Sequence, residues 1–276
     1  MSVADYPRSS LSISCVYYDT DISVFEKTLI SIAEAVNYAK LSKTIEFFQL
    51  HLINNNPEKE LIFQNCIEKY RNYLGDVVIH SGQGNIGYGR ANNIAISITK
   101  CEYHLILNPD VITDKLAIRF GLDYLNHNSY VGMVAPSVKN ANGEIEYLAK
   151  RFPSLLIILL RGFNNKYLNK FFEKKLSLYA YKDKIPSSTP VEIELASGCF
   201  MLCRTSILNK TGGFSEKYFL YFEDFDLSKK ISSLGKICHL PQMEILHLGG
   251  NASKKNLKHV YLFLLSALRF FYSGKF

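Results

Sequence analysis

Residues 76–110 read DVVIHSGQGNIGYGRANNIAISITKCEYHLILNPD, and this stretch decides the fold. Asp76–His80 is a short β-branched run bounded by glycine, which predicts a strand. The segment SGQGNIGYGRANN after it is a Gly/Asn-rich loop, Ala91–Ile98 continues as a helix, and Tyr103–Leu107 is a second strand that stops at Asn108-Pro109-Asp110. The same alternation extends on both sides. Toward the N-terminus, Leu11–Tyr18 (LSISCVYY) predicts a strand, and Val24–Ala39 a helix from the spacing of Phe25, Leu29, Ile32, Ala33 and Val36. Thr44–Ile53 predicts a strand ending in the turn Asn54-Asn55-Asn56-Pro57, and Glu60–Tyr73 a helix. Toward the C-terminus, Asp114–Asn126 predicts a helix and Val131–Pro136 a strand.

This order predicts an α/β fold: a mainly parallel sheet with helices on both faces. Right-handed crossovers put the loops that follow the strands along one edge, where such sheets bind ligands. Tyr17–Asp19, Asn54–Asn56, Ser81–Arg90 and Asn108–Asp110 are therefore expected around one cleft. The second half of the chain breaks the pattern. Asn140–Gly143 predicts a hairpin turn, and Val191–Cys203 (VEIELASGCFMLC) a strand with a bend. Tyr218–Asp226 (YFLYFEDFD) leads into a helix through Ser232, and Lys236–Leu240 and Glu244–Leu248 predict two short strands. There is no internal repeat or linker, so the reading is one domain over 1–253 followed by a basic amphipathic helix over 254–276, packed on the domain or on a membrane surface.

The composition agrees. Of 276 residues, 47% are apolar and 21% charged, which excludes an intrinsically disordered chain. Cys15, Cys66, Cys101, Cys199, Cys203 and Cys238 form no CxxC pair and read as buried apolar residues of a reducing compartment, not as a zinc site or disulfide framework. The start MSVADYPRSS has no basic-then-apolar pattern of a secretory signal, and Val260–Leu268, the longest apolar run, is about half of a membrane span. The net charge of +7 is concentrated: residues 139–184 carry a net +6 and residues 254–276 a net +5. Both segments are also rich in Leu, Phe and Tyr. Two discrete patches of this kind argue against nucleic-acid binding, where basic residues spread along a recognition surface. They suit an anionic membrane or a phosphate-bearing acceptor, or equally two amphipathic helices with solvated basic faces.

Four motifs carry candidate chemistry. Asn108-Pro109-Asp110 ends an apolar strand, where a carboxylate can hold a hard divalent cation, although the tripeptide is also good turn chemistry. Glu223, Asp224 and Asp226 sit among Tyr218, Phe219, Tyr221, Phe222 and Phe225. Acids at a helix start are favoured by the macrodipole, but partial burial among aromatics would raise a carboxylate's pKa toward that of a general base. His247, before Gly249-Gly250, could complete a metal site or be structural. Gly84, Gly87 and Gly89 leave backbone open to phosphate or ribose, without forming a dinucleotide or P-loop fingerprint.

In order along the chain, LSISCVYYDT, GNIGYGRANNIAI, YHLILNPDV, VAPSVKNANGEIEYLAKRFPS, ELASGCFMLCRTSILNKTGGFSEKYFLYFEDFDLSKKISSLG and ILHLGGNAS resemble bacterial glycosyltransferase family 2. These are inverting enzymes of the GT-A fold, and the likeness is to the rhamnosyltransferase branch that builds O-antigen, the lipopolysaccharide glycan, and other surface polysaccharides. The resemblance spans about Leu11 to Ser273, and GGFSEKYFLYFEDFDLSKK is its most specific block. It implies a Rossmann-like sheet with a small antiparallel sheet and a C-terminal helical tail. It places Asn108 and Asp110 at the Asp-X-Asp-type motif that meets metal and donor diphosphate, and Asp224 at the catalytic base, with Glu223 beside it. Tyr17, Asp19, Asn54, Asn55, Asn85, Gly87 and Arg90 fall where the nucleotide is gripped, Ser197, Gly198 and Asp226 on the acceptor side, and His247 at a metal or diphosphate ligand. Two departures stand out: Asn108 replaces the first Asp of the motif, and Asn54–Asn56 stand where a strand-ending Asp is common.

The resemblance implies a sugar, L-rhamnose from dTDP-L-rhamnose, transferred with inversion onto a growing glycan on a polyprenyl diphosphate. Mg²⁺ or Mn²⁺ is the implied cofactor. The implied location is cytoplasmic, peripheral at the inner face of the bacterial plasma membrane, and the oligomeric state stays open. Other donors (UDP-galactofuranose, a UDP-hexose), a non-catalytic nucleotide-sugar binding domain, and a metal-dependent phosphoryl or nucleotidyl transferase are the alternatives. The last wants more strand-end carboxylates than Asp19 and Asp110.

Overall fold

The computed structural model describes residues 9–163, 165–249 and 257–272. Its N-terminal half follows the predicted alternation: β1 (Ser10–Tyr17), α1 (Ile22–Leu41), β2 (Phe47–Asn54), α2 (Glu60–Leu74), β3 (Asp76–His80), α3 (Tyr88–Ile98) and β4 (Tyr103–Leu107). Then come β5 (Val111–Thr113), α4 (Ala117–His127), β6 (Val131–Asn140) and β7 (Ile145–Glu146). Three short helices follow, α5 (Leu155–Phe163), α6 (Lys166–Phe171) and α7 (Glu173–Tyr179). The chain continues with β8 (Val191–Glu192), β9 (Phe200–Arg204), α8 (Thr205–Thr211), α9 (Glu223–Ser232), β10 (Lys236–His247) and α10 (Leu257–Tyr272).

The strands make one sheet in the order β3-β2-β1-β4-β9-β6-β10-β5, with β7 on β6 and β8 on β10. β3, β2, β1 and β4 are mutually parallel. β9 runs antiparallel to both β4 and β6, so the antiparallel part continues the parallel half without a break. Every residue of β1 is buried, as expected for a central strand covered on both faces. On one face Leu11, Ile13, Cys15 and Tyr17 pack with Phe25 and Leu29 of α1, Phe63 of α2 and Leu122 of α4. On the other, Ile106, Met133 and Met201 pack with Leu208 of α8 and Leu227 and Ile231 of α9. The protein is therefore a curled, mostly parallel sheet between two helical layers.

Several boundaries move for identifiable reasons. The predicted bent strand over Val191–Cys203 divides into β8 and β9, and between them Leu195 makes an isolated bridge with Lys150. The two predicted strands around Pro241 are one strand, β10, with a register shift between Leu240 and Glu244. A β-bulge at that point absorbs the proline, which cannot donate to a ladder. The predicted turn at Asn140–Gly143 closes the β6–β7 hairpin, where Gly143 takes φ +79°. All six cysteines are buried and free. The expected boundary at 253/254 lies outside the described residues. Within them, α10 lies against α5 and against the segment before α9: Phe270 stacks near Phe152 and Phe222, and Ser266 donates to the Leu220 carbonyl at 2.8 Å.

Candidate active site

The carboxyl ends of β1, β2 and β4 open onto a cavity of about 560 Å³. Among the expected residues, Asn55, Asn85, Gly87, Asn108 and Asp110 line it. Gly87 is required where it stands: its φ is +90°, and a Cβ there would lie 2.5 Å from the Phe219 carbonyl oxygen. That carbonyl accepts the Tyr88 N–H at 3.3 Å, pinning the start of α3 against the segment before α9. Asn55 reaches the same turn, its side-chain amide donating to the Gly87 carbonyl at 3.3 Å.

A second cavity of about 170 Å³ holds Glu223 and Asp224, walled by Tyr221, Phe222, Phe225 and Phe263, with Arg161 at its side. Leu220 lines both cavities, so they adjoin. Gly198 sits between them. Its N–H donates to Asp224 Oδ2 at 3.1 Å, and its carbonyl accepts the hydroxyl of Tyr88, which lines the larger cavity, at 2.7 Å. The neighbouring Cys199 carbonyl accepts the Asn108 N–H at 2.9 Å. Asn108, two residues before Asp110, and Asp224 are thus tied to the same short piece of backbone, with Asp110 lining the larger cavity and Asp224 the smaller.

The electrostatics of the acid pair are set by burial. Phe222, in a left-handed conformation (φ +65°), starts α9 without a side-chain cap, and Glu223 and Asp224 occupy the first turn. Burial, and then the Asp224 charge, push Glu223 up to about 8. Burial also raises Asp224, but the N–H groups of Gly198 and Phe225 donate to its two oxygens and favour its ionised form. The two N–H donors favour the charged form at Asp224, whereas Glu223 Oε2 is buried with no hydrogen-bond partner among the described residues.

At the other end, His247 lies between two acids, with Nε2 3.5 Å from Asp110 and Nδ1 2.9 Å from Glu146. Burial opposes its charge, yet Asp110 and Glu146 together lift it to about 9, so it is an imidazolium at neutral pH. Among the described residues no group of three or more His, Cys, Asp or Glu side chains is arranged to hold a metal ion. Asp110 fits as the single protein carboxylate of a cation site completed by phosphate oxygens, the usual arrangement for Mg²⁺. His247 fits as a ligand only after losing the proton its two acids hold in place.

Other expected residues fall elsewhere. Tyr17 points into the core, its ring 5.1 Å from Phe25 and 4.5 Å from Phe63, because strand alternation puts it on the face of Leu11, Ile13 and Cys15. Its neighbours Val16 and Tyr18 line the cavity instead. Asp19 is exposed and paired with Lys59. Asn54 is buried and accepts the Asn56 N–H at 2.9 Å, shaping the turn. Arg90 turns away from the cavity and holds the Glu216 carbonyl at 2.6 and 3.1 Å. Ser197 caps its own turn through the Cys199 N–H at 3.4 Å, and Asp226 faces Tyr218 and Lys230, each at 3.5 Å. Tyr88 lies within the loop Ser81–Arg90 expected at the cleft, although the sequence reading gave it no role. That reading missed Arg161, His259 and Leu262, which reach the cavities from α5 and α10 by long-range packing.

No family model matches the chain. Over 210 residues it is 28% identical to an N-acetylglucosaminyl-diphospho-decaprenol L-rhamnosyltransferase of Mycobacterium tuberculosis, covering 71% of this chain and 65% of that protein. The matched stretch thus spans just under two thirds of that relative's length. Over 208 residues it is 26% identical to the rhamnosyltransferase WbbL of Escherichia coli K12, covering 71% of each. Among solved structures, GalNAc-T7 with UDP, GalNAc and Mn²⁺ superposes with a TM-score of 0.60 at 13% identity, over 87% of this chain and 44% of that one. Staphylococcus aureus TarS with UDP-GlcNAc gives 0.57 at 16% identity, over 94% and 66%. Both are GT-A glycosyltransferases, and at this identity they speak for the fold. In sequence the chain is thus similar to rhamnosyltransferases, and in fold to GT-A glycosyltransferases.

Proposed function

We propose that the protein is an inverting glycosyltransferase that moves L-rhamnose from dTDP-L-rhamnose onto a hydroxyl of a lipid-linked surface glycan. The observation that carries this reading is the pair of adjoining chambers, Asp110 in one and the Glu223–Asp224 pair in the other, joined through Gly198. The larger chamber takes the nucleotide sugar, with Asn55, Asn85 and Tyr88 offering polar contacts to base or ribose. Asp224, ionised and within the smaller chamber, takes the proton from the acceptor hydroxyl as that oxygen attacks the anomeric carbon. Protonated Glu223 adds no second negative charge beside it. The bond to the diphosphate breaks on the opposite side, and the imidazolium of His247 next to Asp110 offsets the charge that collects there. Asp110 with the donor phosphates would hold Mg²⁺ or Mn²⁺, which supplies further charge neutralisation of the leaving diphosphate when bound.

The rhamnosyl donor rests on the named relatives alone, so UDP-linked donors are run beside it. Incubation with radiolabelled nucleotide sugars and a polyprenyl-diphosphate-linked acceptor is expected to give one labelled glycolipid with dTDP-rhamnose, reduced by EDTA and restored by Mn²⁺ or Mg²⁺. Donor binding without transfer or hydrolysis for every donor would contradict the enzyme reading.

We further propose that the protein works at the cytoplasmic face of an anionic membrane. No helix among the described residues is long and apolar enough to cross a bilayer. Leu155, Leu159, Tyr167, Phe171, Tyr261, Leu264 and Leu268 are nevertheless exposed on α5, α6 and α10. They alternate with exposed Lys166, Lys170, Lys174 and Lys175, a combination that suits an acidic lipid surface. Flotation with phosphatidylglycerol vesicles is expected to carry the protein up at low salt and release it at high salt. Equal behaviour with neutral vesicles would count against this placement.

A further inference from the structure

We propose that Arg161 forms an anion subsite beside the Asp224 chamber, one that grips the diphosphate joining the acceptor sugar to its carrier. The inference rests on the glycosyl-transfer reading of that chamber and adds a residue and a ligand group to it. Arg161 is the cation lining a chamber whose other walls are two acids and a set of aromatic rings. An acceptor that placed phosphate near Glu223 and Asp224 would be repelled unless a fixed positive charge met it. Arg161 is such a charge.

Its guanidinium is held by Tyr179, and its charge also acts on Asp224 beside it. Nη1 donates to the Tyr179 hydroxyl at 2.9 Å, and the group lies 5.5 Å from the centre of the Tyr179 ring. No carboxylate among the described residues forms an ion pair with it, so most of its planar fork of donors stays available for phosphate oxygens. Tyr179 is itself buried, which fixes the arginine's orientation before a ligand arrives. Behind it, Lys150 lies 5.7 Å from the same ring, and Lys182 5.1 Å from the ring of Tyr147. Burial, and then the Arg161 and Lys182 charges, pull Lys150 down to about 7, so Arg161 is the fixed charge that faces the chamber. A neutral sugar hydroxyl needs no such group, whereas a diphosphate does. α5 also meets α10 directly here, since a Cβ on Gly162 would lie 3.8 Å from Phe263 and 4.0 Å from Leu264. The subsite thus opens beside the exposed leucines of both helices, where an isoprenoid chain could leave the protein.

Diphosphate also occurs in the donor, so the test has two arms. The full chain and its Arg161→Gln and Arg161→Lys variants are titrated calorimetrically with farnesyl diphosphate and, separately, with dTDP, and farnesol serves as the uncharged control. Farnesyl diphosphate is expected to bind the parent protein, to bind Arg161→Gln about tenfold more weakly or worse, and to recover partly with Arg161→Lys. dTDP affinity is expected to stay within about twofold in all three, and melting temperatures to agree. Equal farnesyl diphosphate affinity in parent and Arg161→Gln, no binding to the parent, or an equal loss of dTDP affinity would each overturn the subsite. Arg161-dependent diphosphate binding without sugar transfer from any donor would sink the transfer reading and leave the subsite standing. Transfer with Arg161-independent binding would do the reverse.

Discussion

Replacing Asp224 by Asn is expected to lower turnover by roughly 10²–10⁴-fold, the usual contribution of a general base, with donor affinity nearly unchanged. Asparagine keeps the shape, but its one carbonyl oxygen can accept only one of the N–H groups that Gly198 and Phe225 give to the two Asp224 oxygens, so a small loss of stability accompanies the loss of turnover. What disappears is the carboxylate whose charged form the Gly198 and Phe225 N–H groups favour in the smaller chamber. The parent enzyme's pH profile carries the same information. Burial raises both Asp224 and Glu223 above the ordinary carboxylate range, Glu223 to about 8. Turnover is therefore expected to rise with pH along a limb displaced upward from that of an exposed carboxylate, because the chamber must first come down to one proton. The Asp224→Asn variant should lose this limb. Glu223→Gln, which mimics the protonated acid, should keep most of the turnover at neutral pH. An Asp224→Asn variant that turned over normally would remove Asp224 from the base role.

Gly87→Ala is expected to be the most damaging small substitution in the donor chamber. Two costs add. At φ +90° a residue with a Cβ loses about 1–3 kcal/mol in backbone strain, and this Cβ would also lie 2.5 Å from the Phe219 carbonyl oxygen. The contact can be relieved only by pushing the segment before α9 away from α3. That breaks the Tyr88 N–H to Phe219 bond and disturbs Leu220, which lines both chambers. A fall in melting temperature of roughly 5–10 °C and a marked loss of donor affinity are expected together. Gly84→Ala is the control. Gly84 also has a positive φ, +67°, but nothing lies within 4 Å of its would-be Cβ. It should show the strain cost and keep the donor affinity. Equal effects at the two positions, measured by thermal unfolding and nucleotide titration, would mean that the Gly87–Phe219 contact does not shape the chamber.

The parallel half of the sheet was legible because its strands are continuous apolar runs and its helices repeat with the helical period. The convergence of Asn55, Asn85, Gly87, Asn108 and Asp110 followed from topology alone, since all of them sit just beyond strand ends. The short strands β5 and β7 were not legible, because two or three residues carry no period. Tyr17 was legible in principle: counting by twos from Leu11 puts it in the core and its neighbours at the cavity. Arg90 and Asp226 were assigned by position in a motif, while their side chains are committed to the Glu216 carbonyl and to Lys230. The roles of Arg161, Glu146, His259 and Leu262 depend on how the hairpin β6–β7 and the helices α5 and α10 fold back over the sheet edge. No local pattern encodes that return.

The two-chamber arrangement makes a sharp demand on the two acids, and titrating dTDP into Asp110→Asn and Asp224→Asn in parallel with transfer assays tests it most directly. Asp110→Asn should lose both nucleotide affinity and transfer, while Asp224→Asn should lose transfer alone. Unchanged nucleotide affinity in Asp110→Asn, or a loss of nucleotide affinity in Asp224→Asn equal to its loss of transfer, would contradict the division of the site into a donor end and an acceptor end.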